Sequence, residues 1–402
     1  MKQQTKKQRL KNVLPWNAKD HINQSVRDMP PSGIRKFFDL VSEMKGAISL
    51  GVGEPDFVTP WHVREACIYS LELGNTHYTS NKGMPELREA ICQEVSRDMG
   101  IDFDCNEEIL ITTGVSEAVD LAFRATLNPG EEAVVPEPCY VAYTPDIILA
   151  GGVPKTVPTR LENEFRVQAE DVARRVTEKT RSLLLSYPNN PTGAIMTRSD
   201  LEDLADVVVE NDLIVISDEV YAELTYSGSH TSFAQLEGMK ERTIILNGLS
   251  KSHAMTGWRI GYAMGDPALV GAMTKIHQYT MLCAPTMAQV AALEAMQSGK
   301  DEMLHMRHEY DLRRRLFVSG LNRIGLDCFE PKGAFYAFPS VQRFGLSSEE
   351  FAERLLYEQK VAVVPGNVFG ESGEGFLRCS YATSREELIE ALDRMETFIK
   401  SL

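Results

Sequence analysis

From residue 109 to about residue 265 the chain repeats one pattern, a short apolar run and then a longer stretch whose apolar residues fall three and four apart. The runs are 109–112, 133–135, 153–157, 182–186, 213–217, 243–246 and 260–264, and residues 201–211 typify the stretches between them. An apolar run without polar alternation suits a strand buried on both faces, and strands joined by helices lie mostly parallel. The pattern predicts an α/β fold with a mostly parallel central sheet flanked by helices. It also predicts where chemistry belongs, because such sheets bind ligands beyond the carboxyl ends of their strands.

Outside that block the pattern changes. Residues 48–50 are a short apolar run, followed by the turn-rich segment Gly51-Val52-Gly53-Glu54-Pro55-Asp56. Pro60 precedes a predicted helix at 61–73, and Pro85 opens another reaching about residue 98, with Leu87, Ala90, Ile91 and Val95 on one face. Residues 268–323 read as helical. Beyond them, strand-like runs at 334–338, 361–364 and 376–379 alternate with helices at 349–359 and 385–400. The expected organisation is a polar, basic arm at 1–30, a large domain at 61–289, and a smaller α+β domain combining 31–60 with 290–402. The arm is either flexible or packed on a partner subunit.

The balance of charge narrows the function classes. A net charge of −15 over 402 residues argues against a protein that coats nucleic acid or an anionic membrane. The seven scattered cysteines include no pair at metal-ligand spacing, which fits thiols in a reducing compartment. No apolar run approaches the roughly 20 residues of a membrane span. Lys2, Lys6, Lys7, Arg9 and Lys11 have no apolar segment behind them, so a secretory signal is not expected and a cytoplasmic enzyme is.

Candidate chemistry collects where the predicted strands end. Residues 247–262, NGLSKSHAMTGWRIGY, hold Lys251 among Gly248, Ser250, Ser252, Ala254 and Gly257, with Arg259 eight positions on. Small residues leave room for a bulky group to approach the backbone. A lysine crowded at the mouth of a sheet beside another cation loses solvation, its amine pKa falls, and it becomes a nucleophile towards a carbonyl. Asp218 follows the run 213–217, where a carboxylate either caps a helix or serves a ligand. Asn189-Asn190-Pro191-Thr192-Gly193 is at least a turn. Thr113-Gly114-Val115-Ser116-Glu117-Ala118 joins a strand to a helix, whose free amides suit a phosphate. Alone, Tyr140 reads as core and Arg378 as a surface ion pair. His305 and His308, three apart on a helix, lack a third metal ligand, so no metal site is expected.

In this order the motifs resemble the class I/II aminotransferases, fold-type I enzymes that use pyridoxal 5′-phosphate. SK-x-HAMTGWR-x-GY carries the resemblance, with D-E-x-Y at 218–221 and N-P-T-G from Asn190, and it extends from about Ile34 to the C-terminus. It implies that Lys251 holds the cofactor as a Schiff base and later moves the proton at the substrate Cα. It implies that Arg259 meets the phosphate with its guanidinium fork. Val115 and Ser116 would be further phosphate contacts. Ser250 would supply a hydroxyl, because Gly248 stands where many relatives carry a serine. Asp218 would keep the ring nitrogen protonated, Tyr221 and Asn190 would contact the phenolic oxygen, and Tyr140 would stack on the ring. Tyr78, in HYTSNKGMPELREAI, would cross a homodimer interface to the other cofactor. Arg378, in FLRCSYATS, would bind the substrate α-carboxylate, with Gly53 of LGVGEPDF and Asn190 beside it. Phe335 and Tyr336, in KGAFYAFP, would line the substrate side.

The implied reaction moves an amino group between an L-amino acid and a 2-oxo acid. The expected acceptor is 2-oxoglutarate, and the donor is aspartate or an aromatic or neutral amino acid. The subgroup resembled includes aspartate, aromatic and N-acetyl-diaminopimelate aminotransferases. Ser116 stands where bacterial aspartate-preferring relatives often carry lysine, which speaks against strict dicarboxylate specificity. The motifs do not dictate which bond breaks, so a C–S lyase working by β-elimination stays an alternative. A regulator with a DNA-binding domain would need more than the roughly 30 residues that precede the resemblance.

Overall fold

The structure, a computed structural model, describes residues 16–30, 33, 44 and 46–402. The basic positions Lys2, Lys6, Lys7, Arg9 and Lys11 lie outside them. The described residues fall into two units, one of residues 16–30 and one of those from 33 on. In the first, Asn17 and Asn23 accept hydrogen bonds from the amides two residues on and so cap two short helical turns, Ala18–His21 and Gln24–Asp28.

The strands of the second unit are β1 (Ile48–Ser49), β2 (Ile109–Thr112), β3 (Glu132–Glu137), β4 (Val153–Pro158), β5 (Thr180–Ser186), β6 (Ile214–Asp218), β7 (Thr243–Gly248), β8 (Gly261–Met264), β9 (Tyr336–Ala337), β10 (Val361–Ala362), β11 (Val364–Pro365) and β12 (Leu377–Ser380). Its longer helices are α1 (Trp61–Glu72), α2 (Pro85–Met99), α3 (Gly114–Thr126), α4 (Tyr143–Leu149), α5 (Arg198–Glu210), α6 (Pro267–Thr280), α7 (Thr286–Ser298), α8 (Lys300–Arg323), α9 (Ser348–Gln359) and α10 (Arg385–Ile399). Helix α5 begins three residues before the predicted 201 because Thr197 and Asp200 form a capping box.

Strands β2 to β8 form a seven-stranded sheet in the order β2-β8-β7-β6-β5-β3-β4. All run parallel except β8, which runs against both β7 and β2. Period two distributes each apolar run between two cores. Leu110, Ala133, Val135, Leu184, Ile216, Ile244 and Leu246 pack with α3, α4 and α6 on one face. Val134, Leu183, Leu185 and Val215 pack with α5 on the other, and Ile109, Ile111 and Ile245 pack there with α2 and α7. That two-sided burial is why the runs show no polar alternation.

The topology also gathers strand ends. Ser186 lies beside Asp218 in register, and Gly261 lies opposite both Gly248 and Thr112. Because β8 is reversed, its first residue shares an edge with the last residues of β2, β5, β6 and β7. Close packing there excludes a side chain at 261. An alanine Cβ would stand 2.7 Å from the Gly114 carbonyl carbon and from the Val115 amide nitrogen. Both are backbone and cannot swing aside, so Gly261→Ala is expected to cost about 1–3 kcal/mol by overpacking. A fall in the thermal midpoint of the purified variant checks this; an unchanged midpoint refutes it.

The C-terminal strands differ from the expectation. The run 334–338 pairs only at Tyr336–Ala337, because Ala334 adopts φ +56°, outside the strand region. The run 361–364 divides between two sheets: β10 pairs with β1, and β11 with β12. A separate core of Tyr310, Phe317, Phe335, Phe351, Leu377 and Phe398 lies among these strands, α8, α9 and α10. Among the described residues no helix is long and apolar enough to cross a membrane, and no group of acidic, histidine and cysteine residues could hold a metal ion. All seven cysteines are free.

Candidate active site

A cavity of about 680 Å³ opens at the shared strand edge. Of the predicted site residues, Gly53, Val115, Ser116, Tyr140, Asn190, Asp218, Tyr221, Ser250, Lys251, Arg259, Tyr336 and Arg378 all line it. Tyr78 does not; it is 81% exposed. Phe335 is also absent from the wall. It is fully buried behind it, edge-on to Tyr221 at 5.5 Å and tilted against Tyr336 at 4.9 Å.

Lys251 stands on the short helical turn Leu249–Ser252 that follows β7. Its Nζ donates to the Gly53 carbonyl oxygen at 2.8 Å. Burial lowers the amine to about 8; Arg378 and Arg259 push it the same way, while Glu54 and Asp218 oppose them. The chain from Lys251 to Arg259 passes through two left-handed residues, Ala254 at φ +53° and Arg259 at φ +55°. Thr59 pins that path: its hydroxyl donates to the Ala254 carbonyl at 2.6 Å and accepts from Trp258 Nε1 at 3.0 Å. Of the glycines expected to leave room for a ligand, Gly257 is open and lines the cavity. Gly248 is not: a Cβ there would meet the Gly261 and Ile260 backbone at 2.9 Å, so strand pairing demands that glycine.

Across the cavity Asp218 ends β6 at 5% exposure. Burial raises its pKa to about 6, against hydrogen bonds from the Tyr143 hydroxyl at 2.7 Å and the Val220 amide at 3.1 Å. The Tyr221 and Tyr336 hydroxyls lie 2.8 Å apart. Helix α3 begins at Gly114, which puts Val115 and Ser116 in its first turn, facing the cavity with Arg259 beside Gly114. The amides of that turn, a guanidinium and the Ser116 and Ser250 hydroxyls together make a phosphate-compatible corner.

Arg378 is 3% exposed. It donates to Asn190 Oδ1 at 3.0 Å and to the Gly51 carbonyl at 2.6 Å, and its guanidinium lies over the Tyr336 and Phe369 rings at 4.6 and 4.8 Å. Its Nε has no partner, and no described carboxylate lies within ion-pair distance. A buried cation without a counter-ion is costly unless an anion arrives. The predicted surface ion pair for an isolated arginine at 378 therefore gives way to a buried guanidinium with no described counter-ion.

Sequence reasoning missed Tyr143, Ser186, Glu54 and Thr59. Tyr143 and Ser186 bond through their hydroxyls at 2.8 Å behind Asp218, and Glu54 is a carboxylate on the cavity wall. Tyr143 carried one weak signal, its position three residues after Tyr140; the two rings meet edge-on at 5.5 Å. The others belong to no motif that singles them out.

Residues 45–395 match the family described as aminotransferase class I and II. The chain is 48% identical over 373 residues to an aspartate aminotransferase of Pyrococcus abyssi, covering 92% of this chain and 96% of that one. It is 47% identical over 382 residues to aromatic-amino-acid aminotransferase 2 of Thermococcus litoralis, covering 94% of this chain and 98% of that one. Among solved structures it matches an aromatic aminotransferase from Pyrococcus horikoshii with a TM-score of 0.87 at 46% identity, covering 92% of this chain and 99% of that one.

Proposed function

The chain belongs to the class I and II aminotransferases, fold-type I enzymes that depend on pyridoxal 5′-phosphate, and from that premise we propose how its own residues divide the work. The observation that carries the reading is the buried, unpaired Arg378 on the same cavity as Lys251, an amine lowered to about 8. One takes a carboxylate and the other a proton, and an amino acid presents both.

The cofactor, when bound, supplies an electron sink for the bond broken at the substrate Cα. Val115, Ser116, Ser250 and Arg259 would hold its phosphate, Tyr140 would cover its ring, Tyr221 and Asn190 would hold its phenolic oxygen, and Asp218 would keep its ring nitrogen protonated. Arg378 fixes the substrate α-carboxylate beside Asn190 and the Gly51 to Gly53 backbone, which orients Cα towards Lys251. Lys251 Nζ, partly unprotonated near neutral pH, takes the Cα proton. Tyr336 walls the substrate side with Phe335 behind it. We infer that residues 61–289 act as a large domain and 31–60 with 290–402 as a small one; the whole seven-stranded sheet lies within the first range. Tyr78, exposed in one chain, acts across a homodimer, and the enzyme works in the cytoplasm.

For the donor, we infer an aromatic or neutral side chain in preference to aspartate, with 2-oxoglutarate as acceptor. The cations on the cavity wall are Lys251, Arg259 and Arg378, all with roles already, and the remaining wall includes Val52, Val115, Val119 and Val141. Mixing the cofactor-loaded protein with single amino acids and no oxo acid tests this. Loss of the long-wavelength cofactor absorbance identifies the donor; rapid loss with aspartate and none with aromatic or neutral amino acids would sink the preference. Return of that band while pyruvate and ammonia accumulate would instead mark an elimination enzyme.

A pH dependence follows from Lys251. Its ammonium form is not nucleophilic, and the free amine gains as pH rises through about 8. Capture of added cofactor by the cofactor-free protein is therefore expected to accelerate with pH and level off above that value. Stopped-flow absorbance measures it, and a rate that falls over the same range would contradict the assignment.

A further inference from the structure

Asp218 is a buried carboxylate whose surroundings work against its charge. Burial and the neighbouring Glu219 carboxylate favour the protonated form, and no described cation forms an ion pair with it. The Val220 amide and Lys251 oppose them, and the largest opposing influence is one side chain. Tyr143, 2% exposed at the start of α4, brings its hydroxyl to 2.7 Å from Asp218 Oδ2. The same hydroxyl lies 2.8 Å from Ser186 Oγ. A phenol carries one proton and an ionised carboxylate can only accept, so the Tyr143 proton goes to Asp218 and the Tyr143 oxygen accepts from Ser186. Ser186 ends β5 beside Asp218 in register. Three elements of the fold thus converge to place one directed proton on one carboxylate oxygen, while the Val220 amide donates to the other.

We propose that Tyr143, backed by Ser186, is a positioning residue that holds Asp218 ionised and in a single orientation towards the ring nitrogen of the bound cofactor. This rests on the reading of the cavity as a pyridoxal-phosphate site. Hydrogen bonds to charged groups are stronger than neutral ones because the donor stabilises the charge directly. Tyr143 is 2% exposed, so little solvent competes with its hydroxyl for the carboxylate. Tyr143 also meets Tyr140 edge-on, so the same short stretch carries the ring-covering side chain and the donor to the carboxylate. The titratable groups facing Asp218 are Tyr140 and Tyr143 on that stretch, Glu219 and Tyr221 after β6, and Lys251. Burial raises all three tyrosines, so they stay neutral through the working range and do not produce an acid limb themselves.

The test follows two quantities against pH: the rate of the first half-reaction of the cofactor-loaded enzyme, an amino acid added without oxo acid, and the cofactor dissociation constant, whose weakening on the acid side is expected to begin at higher pH in Tyr143→Phe because its Asp218 takes up a proton sooner. Tyr143→Phe keeps the ring and its packing and removes only the hydroxyl. The acid limb of the rate is expected to move up by about one pH unit, roughly a tenfold loss on the acid side, the scale of a hydrogen bond to a charged group. Ser186→Ala is expected to move it in the same direction by less, and serves if Tyr143→Phe does not fold. In a D218N background, where there is no charge to hold, Tyr143→Phe is expected to change the rate less than about twofold, as a double-mutant cycle requires for coupled residues. An unmoved acid limb, or equal losses with and without D218N, would overturn the proposal and leave Tyr143 a packing residue. Wild-type protein that shows no cofactor absorbance, or no loss of it with any amino acid, would overturn the reading of the site itself and the proposal with it.

Discussion

Replacing Lys251 by alanine is expected to lower amino-group transfer by at least about 10⁴-fold, the upper range of a lost general base, with the covalent anchor lost as well. The same change is expected to leave the cofactor-free protein folded and no less stable. The amine makes one hydrogen bond, to the Gly53 carbonyl, and the fall of its pKa to about 8 means that the fold holds its charged form at a cost. Truncation opens into a cavity of about 680 Å³ that solvent already reaches, so no dry hole is left behind. Turnover and the thermal midpoint without cofactor measure the two effects separately. Substantial remaining transfer would remove Lys251 from the mechanism, and a large drop in midpoint would make it a structural residue.

Asp218→Asn is expected to slow the first half-reaction by roughly 10²–10³-fold, the scale of deleting one preorganised electrostatic contact at a reacting centre. The substitution keeps shape and removes charge, so the fold should tolerate it. Its pH signature is more specific than its size. With a folded pKa of about 6, Asp218 is anionic above that value and takes up a proton below it. The anion is the form that stabilises a protonated ring nitrogen, so cofactor affinity in the wild type is expected to fall as pH drops through about 6. The D218N variant has no such group and should lose that part of the pH dependence. Titrating the cofactor dissociation constant against pH in both proteins decides it; parallel curves would mean that Asp218 does not titrate against the cofactor.

Much of this site was legible as a string of residues. Lys251, Asp218, Asn190 and the turn at 113–118 each follow an apolar run. A run buried on both faces has a distinctive composition, and in an α/β sheet its carboxyl end is where ligands gather. Where the string misled, a three-dimensional neighbour was the reason. Gly248 read as room for a ligand, yet its missing side chain is demanded by Gly261 on the adjacent antiparallel strand. Phe335 and Tyr336 read alike, but they occupy consecutive positions on opposite sides of a wall, one in the core and one in the cavity.

Arg378 shows the division most sharply. Its neighbours in the chain are ordinary strand residues, and 160 positions separate it from Asp218 (378 − 218). By itself the sequence determined the α/β class, the strand ends that carry chemistry, and the residue types able to bind a phosphate, a carboxylate and a carbonyl. Those follow from local patterns, because burial on two faces and small-residue turns leave a mark within a few positions. The reversal of β8, which brings Arg259 to the edge where Lys251 stands, was decided only by the tertiary structure, as were the burial of Arg378 without a counter-ion and the Tyr143 hydroxyl on Asp218. Each depends on groups from different elements meeting in a space without water, where a missing partner is costly and a present one is strong.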